Sequence, residues 1–72
     1  MRIKDLVGFL SNDTRILLYE NVSGSRQNIY FDDFGKLPRS MYTLFIMNIS
    51  LAKYSNCSVI EMFVSNPVLR KR

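Results

Sequence analysis

Two neighbouring stretches in the second half of the chain carry apolar residues on both sides of an extended backbone. Tyr42 to Leu51 reads Tyr-Thr-Leu-Phe-Ile-Met-Asn-Ile-Ser-Leu, and Cys57 to Ser65 reads Cys-Ser-Val-Ile-Glu-Met-Phe-Val-Ser. Successive side chains of a strand point to opposite faces, and a sheet covered on one face alternates apolar with polar residues. Here Phe45, Met47, Ile49 and Leu51 share one side, while Tyr42, Leu44 and Ile46 share the other with Asn48 and Ser50. In the second stretch Ile60, Met62 and Val64 oppose Cys57, Val59 and Phe63, with Glu61 interrupting the latter set. Whatever the fold, it must deal with two apolar faces. Either the sheet curls around its own core, as barrel-like folds do, or the second face is an interaction surface for a second copy or a foreign partner.

The rest of the chain predicts what those strands pack with. Ile3, Leu6, Val7 and Leu10 fall at i, i+3, i+4 and i+7, one helical stripe. The stripe predicts a short amphipathic helix from Arg2 to Leu10, weakened by about 1 kcal/mol at Gly8 and ended by the turn formers Ser11-Asn12-Asp13. Thr14 to Glu20 and Gln27 to Phe34 read as strands joined by an Asn21–Ser25 loop, a hairpin. Gly35 to Ser40 is a link in which Pro38 opens a helical turn through Met41. Lys53–Asn56 is a second hairpin loop, and Pro67 ends the last strand. Short loops favour antiparallel neighbours. The expected architecture is therefore α+β: a short N-terminal helix packed on a four-stranded antiparallel sheet of two hairpins, with residues 1–67 as one domain and 68–72 as a basic tail.

A core of this size contributes only ~3–5 kcal/mol, so small domains add disulfides, a metal or self-association. The 72 residues include one cysteine, Cys57, and no histidine. No intrachain disulfide forms from one thiol, and the residues for a zinc site are missing; no cofactor or metal is expected. Self-association as a homodimer remains. A lone cysteine suits a reducing compartment. The opening residues lack an apolar signal-peptide core and carry Asp5, and no apolar run approaches the ~20 residues of a membrane-spanning helix. A cytoplasmic location in a bacterial host and no membrane partner are expected.

Chemistry is sparse. Asp32 and Asp33 are adjacent, so a strand sends them to opposite faces and they make no acid–base pair. Cys57 lacks a histidine to activate it, and the chain is not expected to be an enzyme. The net charge is +4, but Arg70, Lys71 and Arg72 supply most of it. One reading makes the chain a partner-binding protein, with Leu44, Ile46, Val59 and Phe63 as an apolar anchor and Arg26, Lys36 and Arg39 as a charged rim. A second makes it a binder of single-stranded nucleic acid, using those three basic residues, the aromatics Tyr30, Phe31, Phe34, Tyr42 and Tyr54, and the Arg70-Lys71-Arg72 tail. A third is a structural homo-oligomer.

The opening Met1-Arg2-Ile3-Lys4-Asp5-Leu6, followed by Asp13-Thr14-Arg15-Ile16-Leu17-Leu18-Tyr19-Glu20, resembles the start of short accessory proteins of phages and mobile elements of Gram-positive bacteria. In those, a short helix of the Ile-x-Asp-Leu type leads into a strand ending near Tyr-Asp or Tyr-Glu. The resemblance covers about the first 20 residues and carries no defined site residues. It implies a small non-enzymatic protein that binds and sterically inhibits a host protein, as anti-CRISPR proteins do with a defence nuclease.

Overall fold

The computed structural model describes residues 1–65. Four strands form one sheet: β1 (Arg15–Val22), β2 (Ser25–Asp33), β3 (Phe45–Tyr54) and β4 (Cys57–Ser65). Their spatial order is β2-β1-β4-β3. The two expected hairpins are present, and each is tighter than the sequence suggested. Val22 pairs with Ser25 around Ser23-Gly24, and Tyr54 with Cys57 around Ser55-Asn56. All four turn residues have positive φ, the two-residue geometry whose twist matches that of the flanking strands.

The hairpins meet through their inner strands, and those run parallel: Ile16, Leu17, Leu18 and Tyr19 lie beside Ile60, Glu61, Met62 and Phe63. This overturns the expectation of a purely antiparallel sheet. Antiparallel neighbours follow from short loops, but β2 and β3 are joined by residues 34–44, long enough to cross both central strands. The crossing places β3 at the far edge and lets β1 and β4 pair.

The expected helix from Arg2 to Leu10 is also absent. Only Ile3–Leu6 is helical, as a single 3-10 turn. Three causes combine. Two turns scarcely repay helix nucleation. Gly8 takes φ +96, outside any right-handed helix. And the segment finds better partners elsewhere: Ile3 N donates to Leu44 O at 3.0 Å, Lys4 N to Tyr42 O at 2.9 Å, and Met1 O accepts from Ile46 N at 2.8 Å. The N-terminus is thereby stitched to the start of β3, with the Arg2 guanidinium 4.6 Å from the centre of the Phe45 ring. The fold is thus a mixed sheet with an irregular cover, and not a helix packed on a sheet.

That cover has two parts, the N-terminal segment and the β2–β3 crossover. The crossover carries two further 3-10 turns, Phe34–Lys36 and Arg39–Met41, the second directly after Pro38. Ile3 from the first part and Phe34, Leu37 and Leu44 from the second meet Ile16 and Leu18 of β1 and Met62 and Val64 of β4, all buried. On the opposite face Leu17 and Val59 are buried as well, with no backbone layer above them among the described residues.

Burying one large aliphatic side chain contributes about 1.5–3 kcal/mol, and the whole domain holds only a few kcal/mol. Leu18→Ala, at a fully buried position, should cost about 2–5 kcal/mol and leave most of the chain unfolded in a urea titration. Phe9→Ala, at a side chain 83% exposed, should move stability by no more than about 0.5 kcal/mol.

Candidate functional site

The face opposite the N-terminal segment and the crossover is roofed by long side chains. Parallel pairing sets Tyr19 of β1 beside Phe63 of β4, and their rings stack at 5.5 Å and 16°. The Arg26 guanidinium lies 4.0 Å above the Tyr19 ring. Phe31 and Tyr54 come from the two outer strands, β2 and β3, which in a flat sheet lie about 14 Å apart at three strand spacings. Their ring centres nonetheless approach to 6.2 Å, edge to face. They lean inward over the central strands on a sheet that twists and carries a bulge in each outer strand, one between the Leu18 and Tyr19 pairings and one between those of Ile46 and Asn48.

Polar contacts fix this roof. Tyr54 Oη donates to Glu61 Oε2. Arg26 Nη2 lies 3.5 Å from the same oxygen, and Arg26 Nε donates to Asn28 Oδ1 at 3.4 Å. Arg15 pairs with Asp33 at 3.4 Å and lies 5.7 Å from the Phe31 ring centre. At such exposure each contact contributes little on its own. Together they orient the rings around an open groove of ≈ 360 Å³ lined by Leu17, Arg26, Asn28, Phe31 and Tyr54. Phe31 is 51% and Tyr54 41% exposed, so both groove aromatics present ring surface to solvent. Among the described residues, no group of three His, Cys, Asp or Glu side chains is placed to hold a metal ion. No helix among them is long and apolar enough to cross a membrane.

The groove adjusts one proton. Hydrogen bonding to the Glu61 carboxylate holds the Tyr54 phenol above its ordinary pKa of 10.0, with desolvation and the carboxylate charge adding to the rise and Arg26 opposing it. Tyr30 is raised too, by burial first and then by the charges of Asp32 and Asp33; its hydroxyl donates to Asp33 O at 2.7 Å.

The proposed anchor residues do not share a surface. Leu44 is buried and Ile46 half-buried against the covered core, whereas Val59 and Phe63 lie on the groove face, Val59 almost wholly buried. The bulge in β3 and the register with β4 put them on opposite sides. The basic rim is divided likewise. Arg26 belongs to the groove, while Lys36 and Arg39 are exposed in the crossover on the covered side. Arg70, Lys71 and Arg72 lie outside the described residues. Leu17, Tyr19, Asn28 and Glu61 were not singled out from sequence, because only the parallel register brings them together. Comparison with protein-family models, curated proteins and solved structures returns no match.

Because the carboxylate favours the protonated phenol, Glu61→Gln should lower the Tyr54 pKa and Arg26→Ala should raise it further. Tyrosinate absorbance followed through an alkaline titration measures both. A pKa raised in the folded state means the pair supports the fold below about pH 10 and loses that support as pH rises through the folded value.

Proposed function

We propose that the chain is a non-enzymatic binding protein whose partner is another protein, and that it acts by occupying that partner's surface. The observation that carries this is the groove between Phe31 and Tyr54 with Arg26 at its side. Aromatic residues and arginine dominate the energetics of protein interfaces. Here they are held in place before any partner arrives, which lowers the ordering cost of binding. Phe31 and Tyr54 are the anchor in this reading, and Arg15 and Arg26 set orientation at the rim.

The balance of charge on this face favours a protein over a nucleic acid. Nucleic-acid affinity comes mainly from cations free to neutralise phosphates. Among the described residues, both arginines on the groove face already have carboxylate partners, Arg15 with Asp33 and Arg26 with Glu61. A phosphate would have to compete with them. Steric occupation fits what the opening residues imply, an accessory protein that blocks a host enzyme. An exposed free thiol at Cys57 suits the reducing cytoplasm of a bacterium.

The test is capture from a Gram-positive lysate on the immobilised chain, with and without nuclease. A defined protein should be retained in both cases, and Phe31→Ala should weaken its retention by about 30-fold, the effect of losing a 2 kcal/mol anchor, with an unchanged circular dichroism spectrum. Capture that disappears with nuclease, or falls steeply as salt rises, would instead establish the nucleic-acid reading.

A further inference from the structure

β3 is an edge strand, and only its beginning is protected. Met1–Ile3 covers it at Leu44–Ile46 through backbone hydrogen bonds, and the bulge near Met47 interrupts the ladder just beyond. From there to the hairpin turn none of the described residues pairs with the outer side. The two-residue turn makes Tyr54 and Cys57 a hydrogen-bonded pair, and such pairs alternate along an antiparallel ladder. The amides and carbonyls of Lys53, Leu51 and Ile49 therefore face away from β4. Two of these three residues are exposed and apolar, Leu51 at 75% and Ile49 at 47%. An open edge with apolar side chains is a template for another strand.

We propose that two copies of this chain pair antiparallel along β3, about a twofold axis at Ser50, to form one continuous eight-stranded sheet. The segment is complementary to itself. The axis sets Ile49 opposite Leu51 of the second copy and Leu51 opposite Ile49, so outward-facing backbone groups meet outward-facing ones and four aliphatic side chains gather on one face. Lys53 is the sole charge in β3. The axis separates the two copies of it by about 20 Å, six residues of strand, well beyond the screening length of about 8 Å. A foreign strand has no such built-in match. The other outer strand, β2, is less suited, since its free end reads Ser-Arg-Gln-Asn. The Met1–Ile3 cover and the bulge end the pairing, so a closed dimer forms and no open fibre. An interface about five residues a side is well short of the ~20–30 residues a side of a stable complex, so the dimer separates on dilution. This inference is independent of the groove and its partner.

Sedimentation of the full chain between about 1 μM and 1 mM tests it, together with hydrogen exchange resolved by residue. The mass should rise from one chain to two, and the Ile49 and Leu51 amides should gain at least tenfold protection over the same range. Leu51→Lys, or Ile49→Lys should the first variant fold poorly, should stay monomeric with an unchanged circular dichroism spectrum. A single-chain mass across the whole range, or a dimer whose β3 amides stay unprotected, would overturn the proposal. So would a folded Leu51→Lys variant that still dimerises.

Discussion

The parallel contact between β1 and β4 is the interaction on which everything else in this molecule depends. It spans only four residue pairs, Ile16–Tyr19 with Ile60–Phe63, and it joins strands from opposite halves of the chain. Each hairpin closes locally around its own two-residue turn, but an isolated two-stranded hairpin is marginal in water. The β1–β4 seam turns two such hairpins into one four-stranded sheet. It also builds both faces at once. Leu18 and Met62 meet on the covered side, Tyr19 and Phe63 on the open side. Loss of the seam would remove the core and the groove together.

The two faces then solve the same problem by different means. On one side backbone is spent: the N-terminal residues and the β2–β3 crossover, made of 3-10 turns, bring Ile3, Phe34, Leu37 and Leu44 into contact with the sheet. On the other side, among the described residues, Leu17 and Val59 are covered by aromatic and arginine side chains. A roof of side chains stays partly open, because rings and guanidinium groups cannot tile a surface as a helix does. The groove is a consequence of that partial cover. The functional reading follows from it: the residues that complete the core of this face are also the ones a partner would touch.

Much of this was legible from residues alone. All four strands follow from local β-propensity and turn residues, each within a few positions of where it lies. The two apolar faces read for β4 are both buried, Met62 and Val64 on one side and Val59 on the other, whereas in β3 Met47, Ile49 and Leu51 stay exposed. What escaped was everything fixed by tertiary contacts. Ile3, Leu6, Val7 and Leu10 spell a helix, but Ile3 and Lys4 donate to the backbone before β3 and Gly8 turns left-handed. The stretch from Gly35 to Ser40 reads as a loop, and nothing local says that it crosses two strands. The anchor set of Leu44, Ile46, Val59 and Phe63 came from counting alternation through β3, and one bulged residue reverses that count. Arg26 is the groove residue that sequence reasoning placed in a functional set for its charge; Tyr19 and Glu61 needed the parallel register.

The seam can be tested directly with a two-dimensional nuclear Overhauser spectrum of the isotope-labelled chain. Parallel pairing predicts amide-to-Hα cross-peaks between Ile16–Tyr19 and Ile60–Phe63, with side-chain contacts from Leu18 to Met62 and from Tyr19 to Phe63. Strong Hα–Hα cross-peaks joining β2 to β3, with none between β1 and β4, would mean an antiparallel meander. They would contradict the account of both the core and the groove.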